Sequence, residues 1–257
     1  MEGTSRKRSW TQYYLRKFKT KENKKPFDLY LKNRLVLAER AVTYRDFVGE
    51  FAFIPRLFEE SEWMSLIVPS PPPFSAMVKE FYANIEPINL HFFCTFVRDT
   101  PFEVNASPIG SIIGAPIVFE SVYPYLPDTF PEKTTMMRVF VGKNIPSWPH
   151  QNVVVKIVQF SEPMRILSRI VSANLWLVAH YNDFGIDRAA FLHAFATRVP
   201  IDFSTHAIRL MLVAYEDGQI SLPFGCLIIR ICTHLEIEHE ENDQLQQMHH
   251  ECLCCLV

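Results

Sequence analysis

The chain has 257 residues, of which 48% are hydrophobic and 13% aromatic, so it can bury a substantial core and is not disordered along its whole length. Its 8 glycines and 18 prolines disfavour glycine-rich phosphate loops and turn-dense β architectures. The nearest approach to a phosphate loop, at residues 110–116, lacks the Gly-Lys-Ser/Thr sequence that holds phosphate and magnesium.

A formal net charge of −2 conceals a basic N-terminal arm on an acidic body. Residues 1–25 hold nine Lys and Arg against two Glu, a net charge of +7, whereas the other residues hold 17 Lys and Arg against 26 Asp and Glu, a net charge of −9. The cations of the arm, which are the candidate nucleic-acid-binding residues, are Arg6, Lys7, Arg8, Arg16, Lys17, Lys19, Lys21, Lys24 and Lys25. Trp10, Tyr13 and Tyr14 lie among them, and this mixture can both neutralise phosphates and stack on bases.

Three interpretations of the arm stay open: a solvated and disordered tail, a nuclear-import signal, or a nucleic-acid-binding segment. No apolar region follows the basic start, so a secretory signal is not expected. No run approaches the ~18–20 apolar residues of a membrane span, so no membrane partner is expected. We therefore expect a protein of the nucleus or the cytoplasm, with the nucleus favoured, and reduced thiols at Cys94, Cys226 and Cys232 that serve as small core residues.

Helical periodicity begins at about residue 29, where Leu31, Leu35, Ala38 and Val42 recur at steps of three and four. Residues 55–67 have the pattern of a second helix. A third is predicted over 76–85, with Ser75 as its N-cap. Its apolar stripe is Met77, Val78, Phe81, Tyr82 and Ile85, and Lys79, Glu80 and Asn84 are expected on the opposite, solvated face.

From about residue 92 the apolar residues alternate with a period of two, which predicts a small β-hairpin. Phe92, Cys94 and Phe96 alternate on one predicted strand, residues 102–104 form the other, and the turn is expected at 99–101. A short helix should follow with Pro108 in its first turn. Proline-punctuated residues 116–152 indicate a long loop that contains one short element, at 135–141.

The C-terminal half is predicted to be a run of helices joined by short loops. Ser161, Asp187 and Asp202 are expected to cap three of them, and a fourth covers residues 222–235. The predicted fold is mainly α, α+β at most: a single helical domain over 28–237 with a small β-hairpin, a disordered basic arm over 1–27 and a loose tail over 238–257. Phe81, Phe191 and Trp176 are the expected core anchors.

A nuclease or integrase would need several carboxylates that converge on magnesium. The candidates are Asp183, Asp187, Asp202, Glu216 and Asp217, and convergence of Asp183, Asp187 and Glu216 within ~5 Å would favour this alternative. However, Asp187 and Asp202 stand where helix caps are needed, and 216–218 has the pattern of a turn. Because structural roles explain these acids, no catalytic residues, no enzyme activity and no cofactor are predicted.

Sulfur is concentrated at the end of the chain, in Cys252, Cys254 and Cys255 after His249 and His250. Zinc usually takes two separated pairs of ligands, and a prenylation box would not usually end in valine. Neither a metal site nor a lipid anchor is therefore predicted. Since residues 240–257 carry no apolar stripe, their removal is expected to leave stability unchanged.

Several phrases in order resemble the plant transposon protein domain, a family found in plant retroelement-derived reading frames. They are AER (38–40), VKEFYANI (78–85), FVRDTPFEV (96–104), SRIVSANLW (168–176), HYNDFGIDRAAFLHAFATRVPIDF (180–203) and LPFGCLIIRIC (222–232). Asp99 stands where the family has glycine, and Leu177 where proline often follows Asn-Leu-Trp.

The resemblance covers roughly residues 30–237 and implies a transposable-element-derived protein, with no catalytic residues to carry over. The expected function is non-catalytic: nucleic-acid binding through the arm, or self-association. The alternatives are a degenerate metal-dependent nuclease or integrase fragment, and a host-adopted interaction module, which a large exposed apolar patch without basic character would indicate.

Overall fold

The computed structural model describes residues 16–68, 70–142, 148, 154–240 and 243, apart from the side chains of Lys21, Pro26 and Asp46. Within these ranges the fold is mainly α with a small antiparallel sheet, as the sequence predicts. The α-helices are α1 (Lys21–Pro26), α2 (Phe53–Glu60), α3 (Ser75–Ala83), α4 (Ala106–Ile113), α5 (Lys133–Val141), α6 (Glu162–Asn174), α7 (Ile186–Ala196), α8 (Phe203–Glu216) and α9 (Gly225–His234). A π-helical turn, Phe27–Leu31, continues α1.

The sheet has three strands in sequential order: β1 (Glu86–Asn89), β2 (Phe92–Val97) and β3 (Thr100–Val104). Glu86 pairs with Cys94 across the first ladder, and Cys94 with Glu103 across the second. Both outer strands carry a proline, at Pro87 and Pro101, which lacks the N–H that another strand would need. A second, two-stranded ribbon joins β4 (Val155–Lys156) to β5 (Asp183–Phe184).

Helix α3 organises the half of the domain that contains the sheet. It packs on β2, on α9 and on the π-helical turn, while α4 packs on α8 and α5 on α7. The predicted apolar stripe of α3 is buried at all five positions, Met77, Val78, Phe81, Tyr82 and Ile85. Of the expected core anchors, Phe81 and Phe191 are fully buried, whereas Trp176 is only partly buried.

The helix predicted from residue 29 does not continue past the π-helical turn. Residues 34–43 are extended instead, and Val36 forms a parallel bridge with Leu222. The Leu37 N–H donates to the Leu222 carbonyl at 2.7 Å, and the Leu222 N–H donates to the Leu35 carbonyl at 2.8 Å. A pairing partner almost two hundred residues away therefore overrides the helical spacing.

The extended conformation places Glu39 at the N-terminus of α9. Its carboxylate accepts from the backbone N–H groups of Cys226 and Leu227, at 2.8 and 2.9 Å. Burial raises the pKa of Glu39, and these two hydrogen bonds oppose the rise. The AER phrase thus contains a helix cap supplied from a distant segment.

Other local predictions are shifted. Phe74, not Ser75, is the N-cap of α3, and Gly185, not Asp187, is that of α7, because β5 ends immediately before it. The Asp202 cap of α8 is confirmed by the hydrogen bond from the Thr205 N–H, at 3.2 Å.

The β-hairpin exists, but β2 buries Phe93, Thr95 and Val97 and leaves Cys94 half-buried, the opposite face from the one predicted. Cys226 and Cys232 are buried, as expected.

Candidate nucleic-acid interface

The described part of the basic arm is packed against the sheet, which differs from the disordered arm expected through residue 27. Phe18 is buried, and its ring makes an edge contact with Phe27 at 5.0 Å between centroids. Asn84 joins this segment to α3 and β2: its amide nitrogen donates to the carbonyls of Lys17 and Phe96, and its amide oxygen accepts from the Lys19 N–H. The expected solvated position of Asn84 is therefore wrong, because the polar side chain satisfies buried backbone groups.

Four arm cations have nearby carboxylates: Arg16, Lys17, Lys19 and Lys24. Lys19 lies 2.6 Å from Glu86, and Lys24 lies 3.5 Å from Asp28. Lys25 is exposed, with no ion pair among the described residues. The Lys21 side chain and Arg6, Lys7 and Arg8 lie outside the described residues.

The remaining two arm cations, Arg16 and Lys17, belong to a charge cluster with a buried centre that the sequence did not predict. We call it the Arg98 cluster, and it consists of Arg16, Lys17, Glu80, Arg98, Asp99, Glu240 and Asp243. Arg98 is at its centre with 4% of its surface exposed. Its Nη2 lies 2.8 Å from both carboxylate oxygens of Asp243, and its Nε lies 3.4 Å from Glu80.

Glu240 connects the two ends of the described chain through this cluster. Its carboxylate lies 3.1 Å from Nη1 of Arg98, 3.5 Å from Nη1 of Arg16 and 3.8 Å from Nζ of Lys17. The Glu240 N–H also donates to the Asp243 carboxylate at 2.8 Å. The segment expected to be a loose tail is thus in contact with the domain at residues 240 and 243.

Arg98 and Asp99 form the two-residue turn between β2 and β3, with left-handed φ angles of +48° and +66°. Such turns favour Asn-Gly, since most residues are strained at positive φ. Here the Arg98 N–H donates to Glu80 at 2.7 Å and the Asp99 N–H donates to the Arg16 carbonyl at 3.0 Å. These contacts hold the turn in its conformation and direct the Arg98 side chain into the cluster.

Burial raises the pKa of Glu80 to about 7, against the opposing effects of Arg98 and of the hydrogen bond from its N–H. When Glu80 is protonated, the countercharge for Arg98 comes from Glu240 and Asp243. The solvated position expected for Glu80 is wrong for this reason: it is a buried member of the charge cluster, with 1% of its surface exposed.

Elsewhere, two partly buried arginines have structural roles. The Arg34 guanidinium donates to the carbonyls of Ala214 and Asp217 at the end of α8. Arg230 donates to those of Ser65 and Ile112. Both therefore satisfy backbone acceptors at the ends of helices and turns.

Asp183 and Asp187, which a nuclease would need to hold a metal ion, have other roles in the structure. Asp183 lies 2.7 Å from Lys156 across the β4–β5 ribbon, and Asp187 is in the first turn of α7. In the described part of the chain, no group of three or more His, Cys, Asp or Glu is arranged to hold a metal ion. The Cys- and His-rich end, residues 249–257, lies outside that part.

One shallow cavity of about 250 Å³ lies beside the C-terminal end of α7. Trp63 and Phe195, stacked at 5.2 Å, form part of its wall. Arg198, which also lines the cavity, forms an ion pair with Glu60. The cavity therefore offers an aromatic wall but no unpaired charge.

The architecture is that of a mainly helical domain in which the two ends of the described chain meet at a charge cluster. A family model of plant retrotransposon-related domains matches residues 59–238, about 70% of the chain, so the chain belongs to this family. Searches of curated proteins and of solved structures return no significant match. Among the described residues, no helix is long and apolar enough to cross a membrane.

Proposed function

We propose that this retrotransposon-related domain acts without catalysis and binds nucleic acid through its basic arm, residues 1–25. The observation that carries the proposal is the segregation of charge, +7 on these residues and −9 on the rest. Lys/Arg segments bind the phosphate backbone with little dependence on base sequence. Of the acids considered for catalysis, Asp183 pairs with Lys156 and Asp202 caps α8, which favours binding over catalysis.

We propose that the arm has an anchoring part and a phosphate-binding part. Arg16, Lys17, Lys19 and Lys24 contact carboxylates, so we assign phosphate binding chiefly to Arg6, Lys7, Arg8, Lys21 and Lys25. Contacts to about three to five phosphates would give a slope of log K against log salt of roughly −2 to −4, at ~0.7–0.9 per phosphate. Nuclear localisation would follow if import receptors bind the same basic residues.

The test is the salt dependence of binding of a labelled single-stranded oligonucleotide to the full chain. Arg6→Gln with Lys7→Gln should flatten the slope by about 1.5 and leave the melting temperature unchanged. The matched control, Lys19→Gln with Lys24→Gln, removes two cations that already have carboxylate partners and should flatten it less. Failure of the full chain to bind at ~50 mM salt would refute the proposal.

Self-association is a second candidate, favoured by exposed apolar side chains on the loop between α4 and α5. Ile117, Phe119, Val122 and Leu126 are all exposed there, Phe119 at 92%. Hydrogen bonds from the Val122 and Tyr123 N–H groups to the Pro200 carbonyl hold this loop on the domain. An apolar patch without basic residues is typical of protein interfaces.

Sedimentation velocity at increasing protein concentration tests this candidate. If the loop mediates association, Phe119→Ser should shift the protein towards the monomer. Val158→Ser, at another strongly exposed apolar residue outside this loop, should not. A wild-type protein that stays monomeric at ~100 µM would exclude self-association of useful affinity.

A further inference from the structure

Removal of residues 240 and 243 would change the sign of the Arg98 cluster. With these residues in place, three cations (Arg16, Lys17, Arg98) face four carboxylates, a net charge of −1 when all are ionised. Without Glu240 and Asp243, the same cations face Glu80 and Asp99 alone, a net charge of +1. The C-terminal segment therefore decides whether this surface repels or attracts an anion.

The Arg98 guanidinium is also incompletely satisfied by its carboxylate partners. Nη2 is bonded to Asp243, whereas Nε and Nη1 are buried and lack a hydrogen bond of good geometry among the described residues. A guanidinium presents its donors as a planar fork that fits two oxygens of one phosphate. Glu240 and Asp243 occupy the position that such a phosphate would take.

The described residues of the C-terminal segment, 237–240 and 243, contact the domain through three kinds of interaction. Ile237 is buried, the His239 ring stacks on Phe74 at 4.4 Å, and Glu240 and Asp243 contact the cluster. The Glu240 side chain retains 26% exposure, so its ion pairs are open to competition from solvent ions. A polyanion can displace a segment that depends on such contacts.

From this geometry we infer that Arg98, Arg16 and Lys17 form a binding site for a nucleic-acid phosphate, which Glu240 and Asp243 occupy from within the same chain. The inference rests on the proposed nucleic-acid binding and adds a second, internally competed site at the base of the arm. Oligonucleotide binding and docking of Glu240 and Asp243 then oppose each other. By linkage, each weakens the other by the same factor.

The experiment compares two doubly substituted full-length proteins that lose the same charge. Glu240→Gln with Asp243→Asn removes the two C-terminal carboxylates from the site and leaves Glu80 and Asp99. Glu236→Gln with Glu238→Gln instead neutralises two exposed residues just before Glu240 that have no ion pair among the described residues. A labelled single-stranded thymidine 20-mer at ~100 mM salt should bind the first protein about 5–30-fold more tightly than wild type. The control should gain less than about 2-fold, because it changes only the general field.

The possible outcomes separate this inference from the proposed function. Equal gains in the two proteins would overturn the internally competed site, even if the Arg6→Gln with Lys7→Gln pair shows that the arm binds. A gain confined to the first protein, with no effect of the arm substitutions, would support the site and refute the arm. Absence of binding by every protein would overturn both.

A measurement on the unaltered protein guards against misfolding of the variants. The Glu240 N–H and Asp243 N–H are hydrogen-bonded within the docked segment, both at 2.8 Å. A saturating oligonucleotide should accelerate hydrogen exchange of these amides by about 5-fold or more. Unchanged exchange in the bound protein would show that the segment stays docked, and would overturn the inference.

Discussion

Phe81 lies in the last turn of α3, and its ring contacts those of Tyr82 and Phe93 at 5.5 and 5.8 Å between centroids. Phe81→Ala should lower the free energy of unfolding by about 3–5 kcal/mol, because it removes fully buried surface and leaves a cavity. The matched control is Phe119→Ala, at an exposed ring, with an expected change within about 0.5 kcal/mol. Urea denaturation of both proteins measures this, and similar losses would contradict the burial of Phe81.

His206 is an ionisable residue in an aromatic environment. Its ring is stacked on Phe191 at 4.3 Å and lies 5.0 Å from that of Trp176. Burial lowers the pKa of His206 to about 3, with a smaller opposing effect of the hydrogen bond to the Leu175 backbone and a reinforcing effect of Arg209. An unfolded histidine titrates near pH 6.5, so between about pH 3 and 6.5 the unfolded state binds a proton that the folded state does not.

The stability that neutral His206 contributes should therefore be present above pH 6.5 and decrease as the pH falls towards 3. The loss can reach ~1.4 kcal/mol per pH unit, and His206→Phe should remove it. The raised pKa of Glu80, about 7, makes the folded protein more stable as the pH falls from about 7 to 4.5, which is the opposite effect. Because Glu80 is present in both proteins, it does not affect the difference between them. Parallel curves of unfolding free energy against pH for the two proteins would contradict this assignment.

At the scale of elements, the β2–β3 turn allows a paired comparison. Both of its central residues have positive φ, which costs each roughly 1 kcal/mol relative to glycine. Asp99→Gly relieves this and loses an exposed ion pair with Arg16, so stability should rise by about 0.5–1 kcal/mol. Arg98→Gly relieves the same strain but leaves buried carboxylates unpaired, and stability should fall by about 2–4 kcal/mol.

Chemical denaturation of the two glycine variants decides the role of the turn. Opposite signs are expected. A rise in both proteins would show that backbone strain outweighs the Arg98 cluster, and a fall in both would show that the Asp99–Arg16 pair is worth more than an exposed ion pair usually is.

Elements whose boundaries depend on local patterns could be predicted from the sequence, as the buried stripe of α3 and the Asp202 cap illustrate. Elements that depend on distant partners could not. Residues 34–43 have helical spacing but are extended along Leu222, and Asn84 has the position of a solvated residue but bonds to Lys17 and Phe96. Periodicity contains no information on such partners, which are set by the tertiary fold.

For the whole molecule, the charge of the arm could be predicted from the composition, but the carboxylates that its cations contact could not. Asp243 is 145 positions from Arg98, and it lies in a segment without apolar pattern. The one local sequence feature that pointed to the Arg98 cluster was the turn, where Asp99 replaces the glycine that the family resemblance led us to expect. That substitution places an additional carboxylate beside Arg16.

The contacts at residues 240 and 243 change the expectation that the C-terminal segment is dispensable. Removal of residues 244–257 should leave the melting temperature unchanged, because that segment carries no apolar stripe. Removal of 240–257 also takes away the two carboxylates that balance Arg98. Because Arg98 regains water when the segment is absent, the cost should lie below that of a buried unpaired charge, at about 1–2 kcal/mol.

Thermal denaturation of the two truncated proteins, at low and at high salt, tests this expectation. The difference between them should shrink at ~1 M salt, where the Debye length is only ~3 Å and exposed charges are screened. If both truncations leave the melting temperature at the wild-type value, Glu240 and Asp243 add nothing to stability. Docking of Glu240 and Asp243 on the Arg98 cluster would then have a free energy near zero. A nucleic-acid phosphate would displace these two residues at little cost.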